Sequence, residues 1–240
     1  MLVGIDSKVT VHKAKIHPVG CYLEGKKLLG SQYGLFLGIC FVGLFIGGAV
    51  PLFLYGPAFC GIAICYLKLA RGEKVAFDNL FKGFDYFVQG LIATLVYIGA
   101  TMALVVPFII LVFLLVALMA SEQAILMLIA GVLLACLYVG WILVIGLASM
   151  VFVFASFLIV DRNLDGWPAM QVAFQGTMKN FWGLLVYSIV GQFAVVIGAL
   201  MCIVPAFLMI PILFAGHLVA YRKIFGLEKT APVTAKPIHY

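Results

Sequence analysis

Within the apolar part of this 240-residue chain, two side chains could move a proton or bind a polar group: Gln192 and His217. A polar or ionisable group inside a bilayer is costly to place and often marks a working site. His217 could relay a proton, hold a ligand, or hydrogen-bond a neighbouring helix. Gln192, in the same apolar block, is a candidate partner for it. Interhelical bonds of that kind average only about 0.6 kcal/mol, so they orient helices more readily than they drive a reaction. The familiar catalytic patterns do not occur: no His-Glu-x-x-His, no Gly-x-Ser-x-Gly, and no phosphate-cradling Gly-x4-Gly-Lys followed by Ser or Thr. The six cysteines (Cys21, Cys40, Cys60, Cys65, Cys136 and Cys202) form no Cys-x-x-Cys and mostly lie in apolar runs, where they read as small hydrophobes. The residues therefore point to no catalytic group, no metal site and no cofactor. Gln192 and His217 stand as the candidate intramembrane polar site.

The elements that carry these residues follow from composition. Apolar residues make up 65% of the chain and charged residues 10%, against norms of about 45–50% and about 25% for soluble domains. A soluble fold of this size leaves about a third of its chain surface wet and could not hide that apolar excess. Disorder requires low hydrophobicity and is excluded. The expected class is all-α, a polytopic membrane helical bundle.

The net charge is +6, and its placement carries more than its sum. Lys8, Lys13, Lys15, Lys26 and Lys27 precede the first apolar block. Lys68, Arg71, Lys74 and Lys82 precede the second. Arg162 and Lys179 precede the third, and Arg222, Lys223, Lys229 and Lys236 follow it. The blocks themselves, about 33–67, 86–160 and 181–221, contain no Lys or Arg. A membrane helix needs about 20 residues, so each block has room for two passes. Cytoplasmic loops collect Lys and Arg. About six transmembrane helices with both termini cytoplasmic are therefore expected. The hairpin turns are read at Pro51, at Ser121 and Glu122, and at Pro205. The middle block is long enough for two passes or four. Residues 1–17 read as a polar N-terminal tail, with a brief alternation at Val9 and Val11. Residues 227–240 read as a flexible C-terminal tail. Residues 1–30 hold no apolar run of signal-peptide type.

One integral membrane domain, 18–226, is expected between the tails, in modules of about 18–71, 76–160 and 166–226. Each module is a helical hairpin preceded by an amphipathic interfacial helix. Phe81, Gly83 and Gly90 match Phe174, Gly176 and Gly183 in spacing, and Pro51, Pro57, Gly61 and Tyr66 parallel Pro205, Pro211, Gly216 and Tyr221. Phe77, Phe81, Phe84 and Phe87 fall on one face of a helix, as do Met170, Phe174, Met178 and Phe181. Such a segment either lies along the headgroups with its apolar face buried or packs on the bundle as a loop helix.

A resemblance rests on these segments. The stretch FLIVDRNLDGWPAMQVAFQGTMKNFWGLL from Phe157, the later Pro205, Pro211 and Tyr221, and YLKLARGEKVAFDNLFKGF from Tyr66 resemble a broad class of uncharacterised bacterial polytopic integral membrane proteins. That class includes the membrane domain fused to some glycerophosphodiester phosphodiesterases. The resemblance covers about residues 18–226 and implies a bacterial cytoplasmic (inner) membrane protein with a repeated helical-hairpin fold. It carries no catalytic residue across, because the phosphodiesterase chemistry belongs to a separate soluble domain.

The function expected from all this is a non-enzymatic scaffold that organises lipid or partners. Its partners would be anionic headgroups on the cytoplasmic side and a protein partner or second copy, with no nucleic acid. A transporter or channel for an apolar or zwitterionic small solute or lipid is the alternative, since hairpin repeats and proline-broken helices suit transport.

Overall fold

The computed structural model describes residues 9–119, 123–201 and 203–227, and among them the regular structure is all helical, without a strand. The eight α-helices are α1 (Pro18–Leu29), α2 (Tyr33–Ala49), α3 (Pro51–Ala70), α4 (Phe87–Met119), α5 (Ala124–Arg162), α6 (Gly166–Lys179), α7 (Phe181–Met201) and α8 (Ile203–Phe225). Six helical stretches are long and apolar enough to cross a membrane. The polytopic helical bundle expected from composition is thus present. The middle block forms two continuous helices of 33 and 39 residues.

Local chemistry sets the boundaries. Pro51 and Pro18 occupy first turns, where a missing N–H costs nothing. Arg162 and the left-handed Asn163 (φ 49°) close α5. The α2–α3 turn falls at Val50, beside the expected Pro51. α7 ends at Met201 and α8 begins at Ile203, just before Pro205. Ser121 and Glu122, the expected second turn, lie outside the described residues, as do Cys202 and residues 1–8 and 228–240.

The core runs along three helices that descend from hairpin tips toward the charged end. Every residue of 56–67 in α3 and of 150–161 in α5 is buried. In α8 the buried set includes Ala215, Leu218, Tyr221 and Phe225. Shorter elements wrap this core. The 3-10 segment Phe77–Tyr86 lies on α3, α6 lies on α5, and α1 lies on α8. The contact between α1 and α8 joins the first and last described helices. Gly83 and Gly61 permit one of these approaches: a Cβ on Gly61 would stand 2.1 Å from the Leu80 carbonyl oxygen, and one on Gly83 would stand 2.3 Å from that of Pro57.

One expectation changes. Phe77–Tyr86 is a 3-10 helix, so α-helical spacing does not describe its faces. Its inward residues are Asn79, Leu80, Gly83 and Tyr86, while Phe81 and Phe84 point outward. In α6 the small residues Ala169, Ala173 and Gly176 face the bundle, and Phe174 and Met178 are exposed. Close backbone approach selects the small face for packing and leaves the large aromatic residues outside.

Residues 9–17, read as part of a tail, run extended across the bundle. His12 N–H donates to Ile224 O (2.9 Å), and Lys179 Nζ donates to Val11 O (2.8 Å). The buried Asn180 side chain accepts from Ala14 N–H (2.8 Å) and donates to His12 O and Gly176 O (both 3.0 Å). Asn180→Ala removes three of these bonds at once. It is expected to speed proteolytic nicking within residues 9–17 several-fold while the rest of the bundle resists. Limited proteolysis followed by mass spectrometry checks this, and an unchanged nicking rate would count against the strap.

Candidate functional site

His217 and Gln192 do not form a pair. The His217 Nδ1 sits 2.6 Å from Leu213 O, one turn earlier on its own helix. Its ring makes an edge contact with Tyr187 (centroids 5.5 Å), which in turn stacks on Tyr22 (4.5 Å). Gln192 donates to Ile142 O of α5 (3.2 Å). The expected partnership fails because Gln192 reaches from α7 to α5, while the His217 ring meets Tyr187. Tyr22 and Tyr187 also press on Gly216, so aromatic side chains fill the space beside His217.

The densest polar assembly lies elsewhere, at the charged end of the three core helices. Asp161, the penultimate residue of α5, is 1% exposed. Its Oδ1 accepts from Arg71 Nη2 at 2.6 Å. Its Oδ2 accepts from the Tyr221 hydroxyl at 2.8 Å, and Arg162 Nε lies 3.5 Å from the same oxygen. Arg162 Nη2 also donates to Phe225 O at 3.1 Å, at the end of α8. One carboxylate thus connects the ends of α3, α5 and α8.

Each member is placed by its helix. Arg71 caps the C-terminus of α3 and Arg162 ends α5, positions where a cation complements the negative end of the macrodipole. Asp161 alone would oppose that dipole, and the two guanidinium groups offset it. A buried carboxylate requires such partners, because an unpaired charge out of water is very costly. Both carboxylate oxygens are engaged, so neither is presented to a substrate. The arrangement fastens three helices together. It gives no sign of a nucleophile or a general base.

Sequence reasoning missed this node. Asp161 ends a long charge-free run and is followed directly by Arg162, a signal that a carboxylate there needs a cation. Arg71 and Tyr221 are too distant in the chain for any local pattern to link them.

Two wide grooves open sideways from the bundle, both lined by apolar side chains. One, of about 560 Å³, lies between α4, α5 and α6, with Tyr97, Leu104, Leu147, Trp167, Met170 and Phe174 among its walls. The other, of about 760 Å³, separates α2 from α8 along Gly34, Gly38, Phe41 and Phe207. Among the described residues, no group of three or more His, Cys, Asp or Glu side chains is placed to hold a metal ion. Comparison with protein-family models, with curated proteins and with solved structures finds no match to this chain.

Proposed function

We propose that this chain is a non-enzymatic membrane scaffold that organises lipid or protein partners, in a bacterial inner membrane with both termini cytoplasmic. The supporting observation is the filled centre. A conduction path would run between α3, α5 and α8, and that space holds packed aromatic rings. Phe59 lies 5.2 Å from Phe152 and 5.6 Å from Phe214, and Phe214 lies 5.9 Å from Tyr66. Tyr66 in turn donates to Pro211 O at 2.9 Å.

The same reading takes the fold as three copies of one module, each a wrapping element followed by a hairpin. Its support is the recurring placement of those elements on α3, α5 and α8. The likeness to the membrane domain attached to some phosphodiesterases belongs to this proposal. The outward Phe81, Phe84, Trp167 and Phe174 and the exposed Lys26 and Lys27 fit a partner with apolar tails and anionic heads. Each cation near such a surface contributes about 1 kcal/mol.

The transport reading draws on the groove beside α6, whose width suits an apolar solute or lipid tail. Purification in nanodiscs formed directly from the membrane separates the two. The scaffold reading expects an anionic lipid or a defined protein enriched at least several-fold over the bulk membrane, and no solute flux in proteoliposomes. Flux without any enrichment would overturn it in favour of transport.

A further inference from the structure

The hairpins differ sharply in depth. Tyr55 of α3 stacks on Tyr97 of α4 (6.5 Å) and on Phe152 of α5 (5.2 Å), and Tyr97 lies 5.0 Å from Phe152. These rings mark one level, close below the α2–α3 turn: Pro51 is only about 6 Å beyond Tyr55 at 1.5 Å per residue. From the same level α4 continues about 33 Å to Met119, and α5 reaches back about 42 Å to Ala124. The α4–α5 hairpin therefore overhangs the α2–α3 tip by about 30 Å, the thickness of a bilayer's hydrocarbon core. Its distal part is apolar and uncovered, with Ile110, Phe113, Leu114, Ile125 and Leu128 between 56% and 74% exposed.

Charge fixes where the other hairpins stop. Gly83 packs against Pro57 and Gly61, so the neighbouring exposed Lys82 and Asp85 lie about 9–15 Å below the α2–α3 tip. Gly25 packs against Ala215 and Gly216, so the exposed Lys26 and Lys27 lie about 18–20 Å below the start of α8. Were either tip to reach the far face of a core about 30 Å thick, these charges would stand deep in hydrocarbon, where they are expensive.

The tips agree with that limit. Val50, Leu52 and Phe53 are 41–48% exposed, and Leu200 and Val204 are 82% and 61% exposed. Among the described side chains of 49–54 and 197–206, none is charged, hydroxylic or an amide. At the α2–α3 turn Val50 O accepts from Phe53 N–H (3.1 Å) and Leu54 N–H (2.9 Å), and Pro51 has no N–H to satisfy. The α4–α5 connection, by contrast, reads Ser121, Glu122, Gln123 in sequence, a polar turn suited to water.

We propose that only the α4–α5 hairpin crosses the bilayer, and that α2–α3 and α7–α8 are re-entrant hairpins ending inside the hydrocarbon. The partner of these two hairpins is a single leaflet. Six helices enter that leaflet and two continue into the other, so the chain is a wedge that expands one leaflet against its opposite. This depth assignment stands independently of the scaffold reading.

Cysteine accessibility in oriented membrane vesicles tests it. Val50→Cys, Leu200→Cys and Gln123→Cys are each introduced into the native chain, whose own labelling sets the baseline. With a membrane-impermeant maleimide, Gln123→Cys is expected to label from the side opposite α1 and α6. Val50→Cys and Leu200→Cys are expected to stay at baseline from both sides. A nitroxide on Val50→Cys should respond to dissolved oxygen at least several-fold more than to a water-soluble nickel chelate, which separates burial in lipid from burial in protein. The proposal is overturned if Val50→Cys or Leu200→Cys labels from the far side as fast as Gln123→Cys. Failure of Gln123→Cys to label there, or a nickel response at Val50, overturns it equally.

Discussion

Asp161→Ala is expected to destabilise the bundle by about 3–5 kcal/mol, the usual consequence of removing one partner from a buried ion pair. The alanine leaves Arg71 and Arg162 facing each other without the carboxylate they share, and leaves the Tyr221 hydroxyl without its acceptor. Asp161→Asn keeps an acceptor in place but removes the charge, so its cost should fall between wild type and Asp161→Ala. Tyr221→Phe loses a bond to a charged group, worth about 1.5–3 kcal/mol, and leaves both ion pairs. Unfolding in a graded denaturing-detergent series gives this ranking directly. A loss under about 1 kcal/mol for Asp161→Ala would show that the node does not hold the three helices together. A double change, Arg71→Met with Asp161→Leu, provides a second check. Apolar replacement of a buried pair is often neutral, so it should recover much of what Asp161→Ala alone loses.

The second large effect is expected at Gly61. Its added Cβ in Gly61→Ala would lie 2.1 Å from the Leu80 carbonyl oxygen and 3.0 Å from the Leu80 carbonyl carbon. The obstacle is backbone, so no side-chain rotation relieves it. Overpacking of this kind typically costs about 1–3 kcal/mol and sometimes more. Here the 3-10 segment would have to lift from α3. Gly99→Ala supplies the contrast, because a Cβ there meets nothing within 4 Å. With no clash to offset alanine's better helix propensity, up to about 1 kcal/mol per residue, Gly99→Ala should leave stability unchanged or slightly raised. Equal behaviour of the two variants would refute the close approach. An engineered cysteine pair joining Phe77–Tyr86 to α3 could then report whether the segment separates in Gly61→Ala.

Some of this was legible beforehand. Three blocks free of Lys and Arg were enough to anticipate a set of long apolar helices, with helix boundaries near Pro51 and Pro205. The polar pair was not legible. Gln192 and His217 belong to one apolar block, yet they turn toward different neighbours, and their helix positions alone could not reveal which. The aromatic stripes left their surroundings open for a related reason. Phe81 and Phe174 follow a helical period, but that period cannot tell a face against protein from a face against lipid, since both surroundings are apolar. The small residues Gly83, Ala173 and Gly176 were the better guide, because helices approach closely only where side chains are short.

The sequence by itself determined the class, the three apolar blocks and the polar boundaries between them. The physical reason is that transfer into hydrocarbon depends on composition summed along about 20 consecutive residues. Only the tertiary structure decided that Arg71, Asp161 and Tyr221 meet, that the first and last helical elements pack together, and that one hairpin extends about 30 Å beyond another. Those features depend on the relative depth and rotation of helices far apart in the chain. They are set by close packing and buried charge, which no local window of sequence contains.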